Sequence, residues 1–545
     1  MRGRLTSMLC VLWAVQGCSS AGAPSPGASP APSRAIDVTE LTVEQIQTAY
    51  AAGEYNAVQL TQAFLDRIDL HEDHYNALIS MNPDALAIAA SRDDEYRSGR
   101  SRGPLHGVPV VIKDNLDYAG LVTTAGYSGF SAAAGGIDMI PGDDAAAVER
   151  LRDAGAIILG KTNLPDFAGH GTRTESTVAG VTLNPYNVDK VPGGSSGGTA
   201  TAVNASFAVL GLGTETGGSL QNPASAQGLV AVKVTYGLAP IEGIVPLSGT
   251  YVDVVGPLAR TVRDAARTLD VISGPTPEDP ATFAAVGHMP EGGYLASLEG
   301  ATLEGKRFGL VGPGWRNQWL PLDPLTEVEY RDAIATLVGL GAEVVEDPFE
   351  GSGFIELYGE RPRVPSQGAY DMLRYMQGLG PNASFHSVQE WEALSGREFR
   401  RGRGRGGRGG RGPTSPARPS ATEAGDAFQA WRMRIRQLYR GVFEEHDLDG
   451  LFFPQAGAPN RDMVEDPERP DYKPNNWPEL PSNIINDFGV PVVTVPYSYY
   501  EDGTPFVLAF VGDLWTEAEL LGYAYLLEQA TKARVAPRLS AAPRS

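Results

Sequence analysis

Cysteine is almost missing from this 545-residue chain: there are two, Cys10 and Cys18, both close to the start. The body of the protein therefore has no disulfide, no thiolate metal site and no cysteine nucleophile, which excludes hydrolases built on a thiol. Histidine is scarce too. None of the seven, His71, His74, His106, His170, His288, His386 and His446, stands in a nucleophile-elbow context with a spaced acid. His71-Glu72-Asp73-His74 lacks the H-E-x-x-H metal spacing and reads as a solvated helix end. Positive charge is in deficit: 44 lysines and arginines against 65 acids leave a net charge of −21. That balance argues against nucleic acid or an anionic membrane as a primary partner. There is no G-x-x-x-x-G-K-[ST] loop to cradle a phosphate.

What stands out instead is glycine set beside serine. Residues 190–223 read KVPGGSSGGTATAVNASFAVLGLGTETGGSLQNP and hold two glycine-bracketed serine sites, Gly193-Gly194-Ser195-Ser196-Gly197-Gly198 and Gly213-Thr214-Glu215-Thr216-Gly217-Gly218-Ser219. Glycines before a serine let the backbone turn sharply and bring several N–H groups to one point, as an oxyanion requires. One such site alone reads as a flexible linker. Two sites, joined by a small-residue helix and a short apolar run, fit an excursion that returns the chain to the same place. The reading is an acyl-transfer site with a serine nucleophile.

Such a serine needs a base. Lysine serves if burial makes its neutral form accessible, and lowering its pKa from about 10.4 to near 7 takes roughly 4 to 5 kcal/mol of differential solvation. Two lysines stand at the exit of apolar runs of strand length: Lys113, after Gly107-Val108-Pro109-Val110-Val111-Ile112, and Lys161, after Ala156-Ile157-Ile158-Leu159-Gly160. Spacing and composition do not choose between them.

The segments RGPLHGVPVVIKDN (from Arg102), GKTNLPDFA, GGSSGG, GTETGGS and VGPLARTVRDAA follow one another as do the motifs of the amidase signature family, which the chain resembles from about Ile36 to about Ala533. The resemblance implies a Ser-cisSer-Lys triad with Ser219 as nucleophile, Ser195 as bridging serine and Lys113 as base. It also implies an oxyanion hole of the backbone amides of Thr216, Gly217, Gly218 and Ser219, no metal or organic cofactor, and a structural role for Lys161. The reaction implied is hydrolysis of a small-molecule or peptide amide to acid and ammonia or amine. Another branch sharing these motifs is the catalytic subunit of glutamyl-tRNA amidotransferase, and a non-catalytic binding protein is a third reading. The chain departs from the family at Glu215, where many members have aspartate, at Gln221, where many have arginine, and at Lys233-Val234-Thr235, where Lys-Pro-Thr is usual. These departures bear on the substrate branch more than on the chemistry.

Residues 1–17 read as an export signal, with Arg2 and Arg4 before an apolar run too short for a permanent membrane helix. Val15-Gln16-Gly17-Cys18 resembles a bacterial lipobox, which implies lipidation of Cys18 at the cell envelope; ordinary secretion is the alternative. Residues 18–36 read as a disordered tether, 37–534 as the domain that resembles the amidases and 535–545 as a tail. An Arg/Gly-rich insertion at 397–421 cannot bury a core and reads as a surface loop rather than a nucleic-acid arm. Thr42 with Gln45 and Asn56 with Gln59 predict capping boxes, Asn82-Pro83-Asp84 a third helix start, and Thr516 with Glu519 the cap of the last helix. Residues 256–260 read as a turn. Late strands are expected around 451–454, 490–496 and 506–512, and Tyr358, Tyr370, Met372 and Tyr375 are candidate cleft residues. The fold class is α/β: a single large domain, a mixed β-sheet covered by helices on both faces.

Overall fold

Short apolar runs rich in valine and isoleucine become the strands of one eleven-stranded sheet in this computed structural model, which describes residues 36–249, 251–316, 320–363, 367–399, 418, 421–464 and 482–540. The export signal, Cys18, nearly all of the tether and most of the 397–421 insertion lie outside the described residues. From Asp37 onward the chain forms one compact unit. Across the sheet the strands run Leu78–Met81, Ile157–Thr162, Pro109–Lys113, Leu210–Glu215, Val254–Ala259, Val230–Lys233, Val492–Tyr499, Pro505–Val511, Gly450–Pro454, Arg307–Leu310 and Glu343–Val345. Every residue of the second to sixth of these is buried, so both faces of the sheet are covered there. The architecture is a mixed α/β single domain, as the sequence implied.

Pro109–Lys113 lies parallel to Ile157–Thr162 on one side and to Leu210–Glu215 on the other. Their carboxyl ends consequently open on one edge of the sheet, where open α/β folds keep their sites. That edge receives Lys113, Lys161 and Glu215. Two short, wholly buried helices, Gly197–Asn204 and Gln221–Gln227, start just after the two serine sites. The chain leaves Ser195, runs through the first helix and Leu210–Glu215, and returns: Ser196 N donates to Ser219 O at 3.2 Å.

The expected capping boxes at Thr42/Gln45 and Asn56/Gln59 are both formed. Three local expectations are corrected. Residues 256–260 are no turn: Val254–Ala259 is a central strand, with Gly256 opposite Gly213, and Arg260 beyond it donates to the carbonyls of Val203 and Ala208. The glycine answers crowding, since a Cβ at 256 would sit 2.0 Å from Val232 O. Thr516 stands at the N-cap of the last helix, Glu517–Thr531, as expected, but its side chain makes no cap bond: the hydroxyl donates backward to Asp513 O. His71 is buried, 3.0 Å from Ser540 O of the chain end, and Glu72 accepts from Leu78 N at 2.6 Å at the start of the next strand, so this helix end is not solvated as expected.

Gly193 joins the two serine sites. It has φ +75°, and an added Cβ would lie 2.4 Å from Pro223 Cα. Gly193→Ala should therefore lower the unfolding free energy by about 3 kcal/mol or more, strain and overlap together, as read from urea titration.

Candidate active site

Lys113 is fully buried at the end of its strand. Its Nζ lies 2.7 Å from Ser195 Oγ, 3.0 Å from Thr214 Oγ1 and 3.3 Å from Thr214 O. Thr214 O can only accept, and Thr214 Oγ1 already accepts from Asn115 Nδ2 at 3.0 Å. An uncharged amine can donate both its hydrogens to Thr214 and turn its lone pair to the Ser195 hydroxyl. Burial favours that form: desolvation lowers the Lys113 pKa to about 7, opposed by the negative charges of Asp253 and Glu215.

Lys161 has the same kind of strand exit and a different environment. It is paired with the Asp114 carboxylate at 3.0 Å and donates to Thr123 Oγ1 at 2.6 Å and Val122 O at 3.1 Å. Asp117 accepts from the same Thr123 hydroxyl and from Tyr375 OH, each at 2.8 Å, and burial pushes its carboxyl up to about 7. This cluster has no contact with either serine site among the described hydrogen bonds and ion pairs.

The Gly194–Ser195 peptide is cis. Ser219 is 7% exposed at the head of the second buried helix. Its loop is held from beneath by Glu215: Oε2 accepts from Leu220 N at 2.8 Å and Gln221 N at 3.1 Å, Oε1 from Gln221 Nε2 at 2.5 Å and Asn486 Nδ2 at 2.7 Å. At the two positions where the chain departs from the usual acid and arginine, glutamate and glutamine still bond to each other. From the other side Thr216 Oγ1 donates to Asp253 Oδ1 at 2.5 Å, while Asp253 Oδ2 accepts from Leu247 N and Ser248 N.

Of the candidate cleft residues, Met372 and Tyr375 belong to a buried cluster with Phe130, Phe385 and Trp391, so they pack as core. Tyr358 is taken up by Asp487, to which its hydroxyl donates at 3.0 Å. Sequence reasoning singled out neither Thr214, Asp253 nor Asn486. It named Lys233 only as part of a changed motif, not as a third buried lysine, whose Nζ donates to Val490 O at 2.7 Å and whose pKa burial lowers to about 7. The signal was present: Lys233 follows Val230-Ala231-Val232 as Lys113 follows its own apolar run.

The sequence profile of the Amidase family matches residues 59–521. The chain belongs to the amidase family. A glutamyl-tRNA(Gln) amidotransferase subunit from Synechococcus sp. (strain CC9605) is 31% identical over 502 residues, 91% of this chain and 98% of that protein. The peptide amidase of Stenotrophomonas maltophilia superposes with a TM-score of 0.73 at 34% identity, covering 91% of this chain and 98% of that one. A peptide amidase solved with the competitive inhibitor chymostatin gives 0.75 at 35% identity, covering 91% and 99%. As a member of this family the protein is an enzyme that hydrolyses amide C–N bonds. Among its described residues no helix is long and apolar enough to cross a membrane.

Because Lys113 binds a proton more weakly folded than unfolded, the unfolded chain holds the extra proton between about pH 7 and 10.5, and stability rises with pH across that window. Lys113→Met removes the term. Relative to Lys113→Met, the unaltered protein should gain about 2 to 3 kcal/mol between pH 7 and pH 9 in urea unfolding.

Proposed function

We propose that this amidase works through an acyl-enzyme on Ser219, with Ser195 passing its proton to a neutral Lys113. The carrying observation is the 2.7 Å approach of the desolvated Lys113 amine to Ser195 Oγ, beside a chain return that bonds Ser196 to Ser219. Lys113 takes the Ser195 proton as Ser195 takes that of Ser219, and Ser219 Oγ adds to the amide carbonyl. The amides of Thr216, Gly217, Gly218 and Ser219 receive the negative charge, each donor of this type being worth about a hundredfold or more. The relay runs back to protonate the leaving nitrogen, the C–N bond breaks, and water then hydrolyses the ester to free acid and Ser219.

For substrate we favour peptide-type and small-molecule amides, since two of its structural relatives are named peptide amidases. A role within an amidotransferase has sequence relatives such as the Synechococcus protein behind it. The acidic surface, at a net charge of −21, weighs against tRNA as a partner. Ammonia release from a panel of peptide C-terminal amides, aryl amides and aliphatic amides tests the reading, with kcat/KM rising with pH through about 7 as Lys113 loses its proton. A fluorophosphonate should label Ser219. Labelling and hydrolysis should vanish in Ser219→Ala, and hydrolysis should fall about 10²- to 10⁴-fold in Lys113→Ala; labelling that survives Ser219→Ala removes the assignment.

We further propose export and lipid attachment at Cys18, on the strength of the charged start, short apolar run and Val15-Gln16-Gly17-Cys18 sequence. The full chain expressed in a bacterium should incorporate labelled palmitate and lose the label in Cys18→Ala.

A further inference from the structure

We propose that Asn486 is a positioning residue for Ser219, acting through the Glu215 carboxylate; this rests on the reading of Ser219 as the nucleophile. Glu215 is fully buried at its strand end, so its charge must be met by donors rather than water. Three of its four hydrogen bonds come from residues 220 and 221, directly after the serine, and the two from Leu220 N and Gln221 N define how the backbone turns there. Those three tie the carboxylate to the residues that follow the serine. The fourth, from Asn486 Nδ2 at 2.7 Å, comes from 271 residues away.

The element that supplies it is itself held. Asn486 lies on the helix Ser482–Phe488, where Arg432, from the long helix Glu423–His446, donates its Nε to Asp487 O at 2.6 Å, and Arg361 pairs with the Asp487 carboxylate at 2.6 Å. One helical turn earlier, Asn483 meets the same loop: a Cβ on Gly217 would fall 2.0 Å from Asn483 Oδ1. Residues three apart share a helix face. That face therefore touches the serine loop on either side, at Glu215 and at Gly217, and the amide of Asn486 orients the carboxylate that holds the turn behind Ser219. Neutral amides from Gln221 and Asn486 do here what one guanidinium could do, and leave the Glu215 charge unpaired by any cation in these bonds.

Steady-state amide hydrolysis, fluorophosphonate labelling rate and melting temperature are to be measured for Asn486→Ala, Glu215→Ala and the double variant. Asn486→Ala should lose about 10- to 100-fold in kcat and in labelling rate, with KM within about threefold, as expected for a misplaced nucleophile. In the Glu215→Ala background the same substitution should change kcat less than about twofold, since the oxygen that Asn486 bonds is gone. Asn486→Ser, too short to reach Oε1 yet polar, should repeat the kcat loss and replaces the alanine variant if that does not fold. An unchanged kcat in a folded Asn486 variant, or the full loss repeated in the Glu215→Ala background, overturns the inference. Ser219→Ala separates the two claims: if it abolishes labelling while the Asn486 variants behave as the unaltered enzyme, only the positioning role falls, and if labelling survives it, the nucleophile assignment falls first.

Discussion

The withdrawal of one amine from water is the constraint on which the rest of this structure depends. At the usual lysine pKa the group would be an ammonium with no lone pair to offer a hydroxyl. Burial of Lys113 shifts it to about 7, a change worth about 5 kcal/mol of solvation. Much of the architecture can be understood as keeping water away: five adjacent strands with every residue buried, and two small-residue helices lying wholly inside. The two acids that work against the shift, Asp253 and Glu215, both bond the Ser219 loop, Asp253 accepting from Thr216 Oγ1 and Glu215 from Leu220 N and Gln221 N.

Lys113 and Lys161 show how neighbours, rather than position, decide what a buried lysine can do. Both end strands that pair with each other, Ile112 opposite Lys161 and Lys113 opposite Thr162. One finds hydroxyls and a carbonyl; the other finds Asp114 at 3.0 Å. Desolvation with no carboxylate in contact is what lets the Lys113 amine be neutral.

The strands and the two serine sites were legible because each is a local pattern: apolar runs of strand length, glycines against serine, capping residues three apart. The choice of Lys113 over Lys161 was not legible from pattern, because Asp114 follows one lysine and pairs with the other. It came only through the resemblance. Asn486 was invisible for a related reason, since nothing near it in sequence marks a donor whose acceptor is 271 residues away. Gly256-Pro257 misled because a glycine demanded by the approach of Val232 O looks, in isolation, like one demanded by a turn. Met372 and Tyr375 look the same in sequence whether they line a cleft or fill a core.

The last described residues close over the first. Arg534 holds Glu40 with two hydrogen bonds, at 2.6 and 2.9 Å, and Ser540 N donates to Tyr75 OH. The partners in the first pair are 494 positions apart. During synthesis the Glu40 carboxylate cannot meet this partner until Arg534 has been made. The fold is latched from its far end, and a chain cut short before Arg534 would lack the residue that fastens it.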